Sequence, residues 1–273
     1  MNVAAPSLYQ VEAFNTSKAS ENKIHDDAVA RRFGFSGGLV PGVDVYGYMT
    51  HQPVARWGRA WLERGVGECR LLKPVYDGET ATVSADATAD GLALQVASRG
   101  MLCATGTASL PGSLPGAAEP APRLDSFAPP PLPPENRPPA DESSLSVGTL
   151  LGIRPLLVTP EFAADYLRDA RETDPLYARE GLVHPATILR TGNWVLSHNV
   201  VLGPWIHVGS TVRHFAVAHV GSEITARARV TANYDHKGHR FVELVVLVLA
   251  DGGTAVAHIA HTAIYRPRQV AAA

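Results

Sequence analysis

Cysteine is almost missing from this 273-residue chain. Only Cys69 and Cys103 occur, too few for a disulfide framework and not spaced as metal ligands, so buried free thiols in a reducing cytoplasm are expected. An excess of one charge is missing as well: 24 Lys and Arg stand against 26 Asp and Glu, a formal net charge of −2. With the basic residues scattered, neither nucleic acid nor an anionic membrane finds an electrostatic footprint. No apolar run reaches the ~18 residues of a membrane-spanning helix, and residues 1–8 lack the basic-then-apolar pattern of a leader peptide. A phosphate-cradling glycine loop and a Gly-x-Ser-x-Gly elbow are also absent, which removes nucleotide-dependent and α/β-hydrolase chemistry and implies no bound cofactor.

Proline, in contrast, is concentrated. Eleven of 21 prolines fall within residues 111–139, a composition that reads as an extended surface linker. It divides the chain into an N-terminal domain (1–112), a linker (113–145) and a C-terminal domain (146–273), each domain of ordinary size. The two parts form a faint repeat. Gly38-Leu39-Val40 recurs as Gly181-Leu182-Val183, and Gly78 as Gly221, both at an offset of 143 residues.

Each part ends in a meander. Segments 79–88, 92–99 and 101–110, and again 222–233, 240–249 and 254–265, cluster β-branched and small apolar residues between turn signals, the strongest being Asp251-Gly252-Gly253, and predict antiparallel strands. Helices are predicted over 28–33 behind Asp26 or Asp27, from Gly42 to about residue 50 with a kink at Pro53, and from Pro160 to about residue 170.

The chemistry is concentrated in Ser20-Glu21-Asn22-Lys23-Ile24-His25-Asp26-Asp27, followed by Gly38-Leu39-Val40-Pro41-Gly42. An Asn and a His on one loop, and a glycine opening a helix, can hold a water molecule and an acyl oxygen together. Residues 14–47 resemble the MaoC-like (R)-specific enoyl-CoA hydratases and dehydratases, whose loop reads Asp-x-Asn-Pro-x-His ahead of a glycine-capped central helix. Asn22 and His25 match that motif; Lys23 stands for the Pro, and Ser20 for the catalytic Asp. The resemblance implies an α+β fold of two tandem hot-dog domains, each an antiparallel sheet wrapped around a central helix, packed as a pseudo-dimer with the active site at the shared interface. It further implies a hydratase or dehydratase acting on an acyl-CoA or acyl-carrier-protein thioester; two hot dogs in one chain already form the minimal pair, so monomer and homodimer both stay open.

By the same resemblance, His25 and a carboxylate hold the water, Asn22 fixes the loop, and the Gly42 N–H binds the thioester oxygen with help from the helix dipole. A serine hydroxyl cannot replace a carboxylate in proton transfer at neutral pH, so Ser20 is left among the substrate-binding groups. The carboxylate stays open between Glu21, one position away, Asp44 in the first turn of the Gly42 helix, and Asp27, whose simpler role is a helix cap. In the second copy Tyr177 replaces the His, and Pro185, which has no N–H, replaces the glycine. That half is expected to be catalytically spent, with Glu172 an isolated structural carboxylate and Trp194, Trp205 and residues 242–249 serving as tunnel wall or core. His236 with His239, and His258 with His261, are three apart on strands and should face opposite ways, sharing no metal. Two rivals stand beside the hydratase: a thioesterase using Asp44 or Glu21, and a non-catalytic acyl-thioester binder.

Overall fold

Period-two alternation builds the sheet: Ala81, Val83 and Ala85 in one part, and Ile224, Ala226, Ala228 and Val230 in the other, are buried while their neighbours are not. The structure, a computed structural model, describes residues 7–111 and 121–268, with Ser7 and Asp125 by their backbone alone. Residues 1–6 of the chain start and 113–120 of the proline-rich segment lie outside the described residues. In chain order the elements are β1 (Ser7–Glu12), α1 (Asp27–Arg32), α2 (Gly42–Trp57), α3 (Arg59–Arg64), β2 (Val66–Leu71), β3 (Thr80–Ala87), β4 (Leu92–Ser98) and β5 (Met101–Ser109). There follow β6 (Leu150–Gly152), β7 (Leu156–Leu157), α4 (Pro160–Asp169), α5 (Leu176–Glu180), α6 (Pro185–Ser197), β8 (Ile206–His214), β9 (Glu223–His236), β10 (His239–Ala250) and β11 (Thr254–Arg266).

The strands form one antiparallel sheet in the order β1-β3-β4-β5-β2-β8-β11-β10-β9-β6, with β7 on β9. Both parts use the same internal order and meet where β2 pairs β8, from Val66↔Arg213 to Arg70↔Gly209. The repeat is equally visible in the loops: Leu39 bridges Tyr76 and Leu182 bridges His219, both pairs at the 143-residue offset. Each half-sheet wraps a central helix, α2 or α6, which is the hot-dog plan doubled in one chain.

The helices cross at a glycine. A Cβ at Gly47 of α2 would lie 3.0 Å from Ala186 of α6, so the missing side chain sets how closely they approach. Around them one apolar cluster runs from Val11 to Tyr265 and draws on both parts, including Tyr46, Trp61, Tyr177 and Leu189. Contrary to expectation, α2 runs through Pro53 to Trp57 and ends at Gly58, where φ is +58°. A proline deletes its own bond to the carbonyl four residues back and crowds that carbonyl, and here the helix continues with Pro53 buried between Gln52 and Val54.

The proline-rich segment, from residue 121 on, is extended over the second part: Arg227 donates to the carbonyls of Leu124 and Phe127, and Val201 N–H to that of Pro138. Cys69 and Cys103 are both free and buried. Among the described residues, no helix is long and apolar enough to cross a membrane.

Candidate active site at the interface of the two halves

The Asn22–Gly42 loop is held by its own side chains. Asn22 Oδ1 accepts the Ile24 N–H at 3.3 Å, starting a short turn that buries Ile24 against Ala30 and Leu39. Asp26 caps α1, accepting from the Val29 N–H at 3.0 Å. Asp27 does not cap: its carboxylate accepts the Gly38 N–H at 2.7 Å and ties the loop's return to its start. These bonds bring His25 back onto Leu39, whose carbonyl lies 2.7 Å from Nδ1. A carbonyl only accepts, so Nδ1 carries the proton and Nε2 presents its lone pair. Burial pushes the His25 pKa below the usual imidazole value; the Leu39 carbonyl and Asp44 oppose that shift, and Arg190 adds to it. The ring is therefore neutral, a base, at pH 7.

The second half completes the loop's anchorage. Asn22 Nδ2 donates to the Trp205 carbonyl at 3.1 Å, and the Trp205 N–H donates to Asn22 Oδ1 at 3.2 Å. The same Nδ2 lies 3.4 Å from His25 Nε2. Gly42 opens α2 with no side-chain cap ahead of it, so the first N–H groups of the helix are available to an acceptor. A Cβ there would overlap the end of the Leu71 side chain and come within 2.8 Å of His207 Nδ1, so any larger residue must displace both.

His207, which the sequence reading missed, belongs to a buried row. Its Nε2 lies 2.8 Å from Ser210 Oγ, which lies 2.9 Å from His261 Nδ1, and the two rings stack at 4.5 Å. A register shift in β8 beside Thr262 lets both His207 and Ser210 face inward. Burial lowers the His207 pKa to about 4, and burial with the neighbouring His207 holds that of His261 well below the usual imidazole value, so this row is uncharged.

His25 borders three cavities; one, about 480 Å³, is lined by the first half alone, and the other two lie between the halves. Of these two, the first, about 250 Å³, is apolar and includes Gly42, Val45, Leu71, Trp205, Ile206 and His207 in its wall. The second, about 410 Å³, is polar and includes Ser20, Glu21, Arg137, Arg154, Arg190 and His198. Asn22, His25, Pro41, Asn193 and Trp205 border both, so the imidazole stands on the divide. Both cavities draw on the first half's loop and on the second half's α6 or β8.

The remaining candidates are placed as follows. Ser20 lines the polar cavity. Glu21 stands on its rim, 75% exposed, with its carboxylate held by Arg137 at 2.9 Å; that hydrogen bond keeps its pKa low. Asp44 lines neither cavity. Fully buried, it accepts from Thr16 at 2.6 Å, Tyr166 at 3.0 Å and Arg190 at 2.5 Å. Helix α2 contributes Asp44, α4 Tyr166 and α6 Arg190, so what the sequence offered as a substrate-binding acid is an ion pair joining the halves.

The second copy also differs from expectation in one respect. Glu172 is not isolated: it accepts from His51 Nδ1 at 2.8 Å and from the N–H groups of Thr173 and Asp174, with His184 at 3.5 Å. Burial raises its pKa, but the bonds from His184 and His51 outweigh this and hold it far below the usual range. Tyr177 is buried with its hydroxyl unpartnered. Trp194 and Trp205 line the polar cavity, while Val242, Leu244 and residues 246–249 are buried in the core and Glu243 and Val245 are not. His236 and His239 lie on separate strands and pair across a hairpin, contrary to the single-strand reading. His258 stacks edge-on against Phe127, whereas His261 faces the interior. Among the described residues no group of three or more His, Cys, Asp or Glu could hold a metal ion.

No family model and no curated relative matches the sequence. Solved structures do. A MaoC-domain dehydratase candidate from Chloroflexus aurantiacus superposes with a TM-score of 0.63 at 12% identity, over 98% of this chain and 96% of that one. A MaoC-like dehydratase gives 0.60 at 13% identity over 95% and 97%. A double hot-dog protein of Mycobacterium tuberculosis gives 0.59 at 16% identity over 96% and 97%. With so little sequence in common these matches speak for architecture alone, and in architecture the chain is a double hot dog like the MaoC-like dehydratases.

Proposed function

We propose that this chain is a hydro-lyase of the (R)-specific enoyl-thioester hydratase or 3-hydroxyacyl-thioester dehydratase type, working in the cytoplasm on an acyl-CoA or acyl-carrier-protein substrate. One observation carries the reading: a neutral imidazole with its Nδ1 proton fixed on Leu39, and the uncapped Gly42 amide, line one cavity between two hot-dog halves. In the hydration direction, His25 Nε2 takes a proton from water as the oxygen adds to Cβ. The electron pair of the double bond moves to the thioester oxygen, where the Gly42 N–H and the helix dipole stabilise it. The imidazolium then returns the proton to Cα as the carbonyl re-forms. With Glu21 held by Arg137 and Asp44 enclosed, His25 serves as base and acid in turn, and Asn22 keeps its ring in register.

A panel of enoyl-CoA thioesters, assayed for loss of enoyl absorbance and for thiol release, tests the proposal. Water addition without thiol release is expected; thiol release alone would reassign the chain as a thioesterase. The second reading, a non-catalytic acyl-thioester binder, is favoured by Ser20 standing where a carboxylate would. Tight binding of every panel member with turnover of none would select it.

A further inference from the structure

We propose that the substrate's acyl group ends in a carboxylate, bound in the polar cavity. The orientation rests on the hydro-lyase reading. Gly42 borders only the apolar cavity, whereas His25 borders both. A thioester with its carbonyl oxygen on the Gly42 amide and its Cβ at His25 keeps its sulfur and carrier arm on the apolar side. The rest of the acyl group must then pass His25 into the polar cavity.

That cavity is rich in hydrogen-bond donors, with Arg137, Arg154, Arg190 and Asn193 in its wall. Arg190 Nη2 donates to Asp44 at 2.5 Å and to Thr16 at 3.2 Å, which employs both its protons. Its guanidinium, which also bonds the Tyr166 hydroxyl, carries further N–H groups and lines the polar cavity with the side chain only 16% exposed. Asn193 has a buried side-chain oxygen with no partner, and its amide can present donors instead by rotating about its terminal bond. Arg154 lines the cavity and has no ion pair among the described residues, while the lining carboxylates are Glu21, held by Arg137, and Glu135, exposed on the rim.

An alkyl tail would displace water from these groups and give them nothing in return. A carboxylate has lone pairs for several of them at once, and guanidinium donors match its geometry. The polar cavity is thus suited to a dicarboxylic acid esterified at one end.

Calorimetric titration at low salt with glutaryl-CoA and valeryl-CoA tests this. These saturated thioesters of equal chain length cannot be hydrated, so the readout is independent of turnover. The wild-type chain should prefer glutaryl-CoA by about tenfold or more. Arg154→Gln should move that ratio toward one while leaving valeryl-CoA affinity unchanged, and Asn193→Leu should lower the ratio as well. Equal or weaker binding of glutaryl-CoA would overturn the proposal, as would an Arg154→Gln variant that lost both ligands alike, since Arg154 would then serve the carrier. A glutaryl preference in a chain that hydrates no enoyl thioester would instead leave this inference standing and sink the hydro-lyase reading.

Discussion

Replacing Asp44 by Asn should destabilise the whole molecule, because the ion pair it breaks joins both halves. Asp44 is fully buried and accepts from three groups, Thr16, Tyr166 and Arg190, which arrive from the first half's loop, α4 and α6. Asn has nearly the same shape, so packing is conserved. What changes is that one acceptor oxygen becomes a donor amide, and Arg190 keeps its charge with no counter-ion. Breaking one side of a buried pair costs about 3–5 kcal/mol. Because Arg190 also borders the polar cavity, water relieves it in part, and the lower end, roughly 3 kcal/mol, is expected. At about 2–4 °C per kcal/mol for a chain of this size class, the melting temperature falls by roughly 6–12 °C. Urea denaturation of the wild type, Asp44→Asn and the double variant Asp44→Leu with Arg190→Met measures the effect, and the double variant should regain most of the loss. An Asn variant within about 1 kcal/mol of wild type would refute the account of Asp44 as the buried tie.

Other perturbations separate the remaining roles. Glu21→Gln should leave hydration within about twofold of wild type, because an exposed ion pair contributes little; a large fall in kcat would return Glu21 to the catalytic acids. Gly42→Ala should lower kcat by about 100-fold or more by forcing the oxyanion donor away from Leu71 and His207, and an active variant would remove Gly42 from the site. Stability should fall on acidification between about pH 6.5 and 4. His207 and His214 have pKa values lowered to about 4 by burial, so across that interval the unfolded chain takes up protons that the folded chain refuses, at about 1.4 kcal/mol per pH unit for each histidine. Denaturation midpoints that stayed flat from pH 7 to 4.5 would contradict their neutral burial.

Much of the fold was legible because it repeats. The Gly-Leu-Val recurrence anticipated the bridges of Leu39 and Leu182, and turn residues marked both meanders within a few positions. Strands β1, β2, β6, β7 and β8, and the second central helix α6, escaped notice. Val66–Leu71 interposes Gly, Glu and Arg among its apolar residues, and what holds it is pairing to β8, about 140 positions away, an interaction no local pattern encodes. In the site, Asn22, His25 and Gly42 were readable as a motif, whereas Arg190, Asn193 and His207 reach it from the other half. One local signal did exist for two of them: in the otherwise apolar and small-residue segment 185–197, a charged Arg190 and an amide at Asn193 were the anomalies. Asp44 was misplaced for the opposite reason, since its partners Tyr166 and Arg190 are distant in sequence and an acid in a first helical turn looks solvated.

The central claim is that the His25 imidazole and the Gly42 amide act on one thioester. Hydration of an enoyl-CoA by the wild type and by His25→Ala, compared at equal folded fraction, tests it most directly. The account predicts a fall of about 1,000-fold or more in kcat, since the same nitrogen both takes and returns the proton, and undiminished hydration by the alanine variant would contradict it.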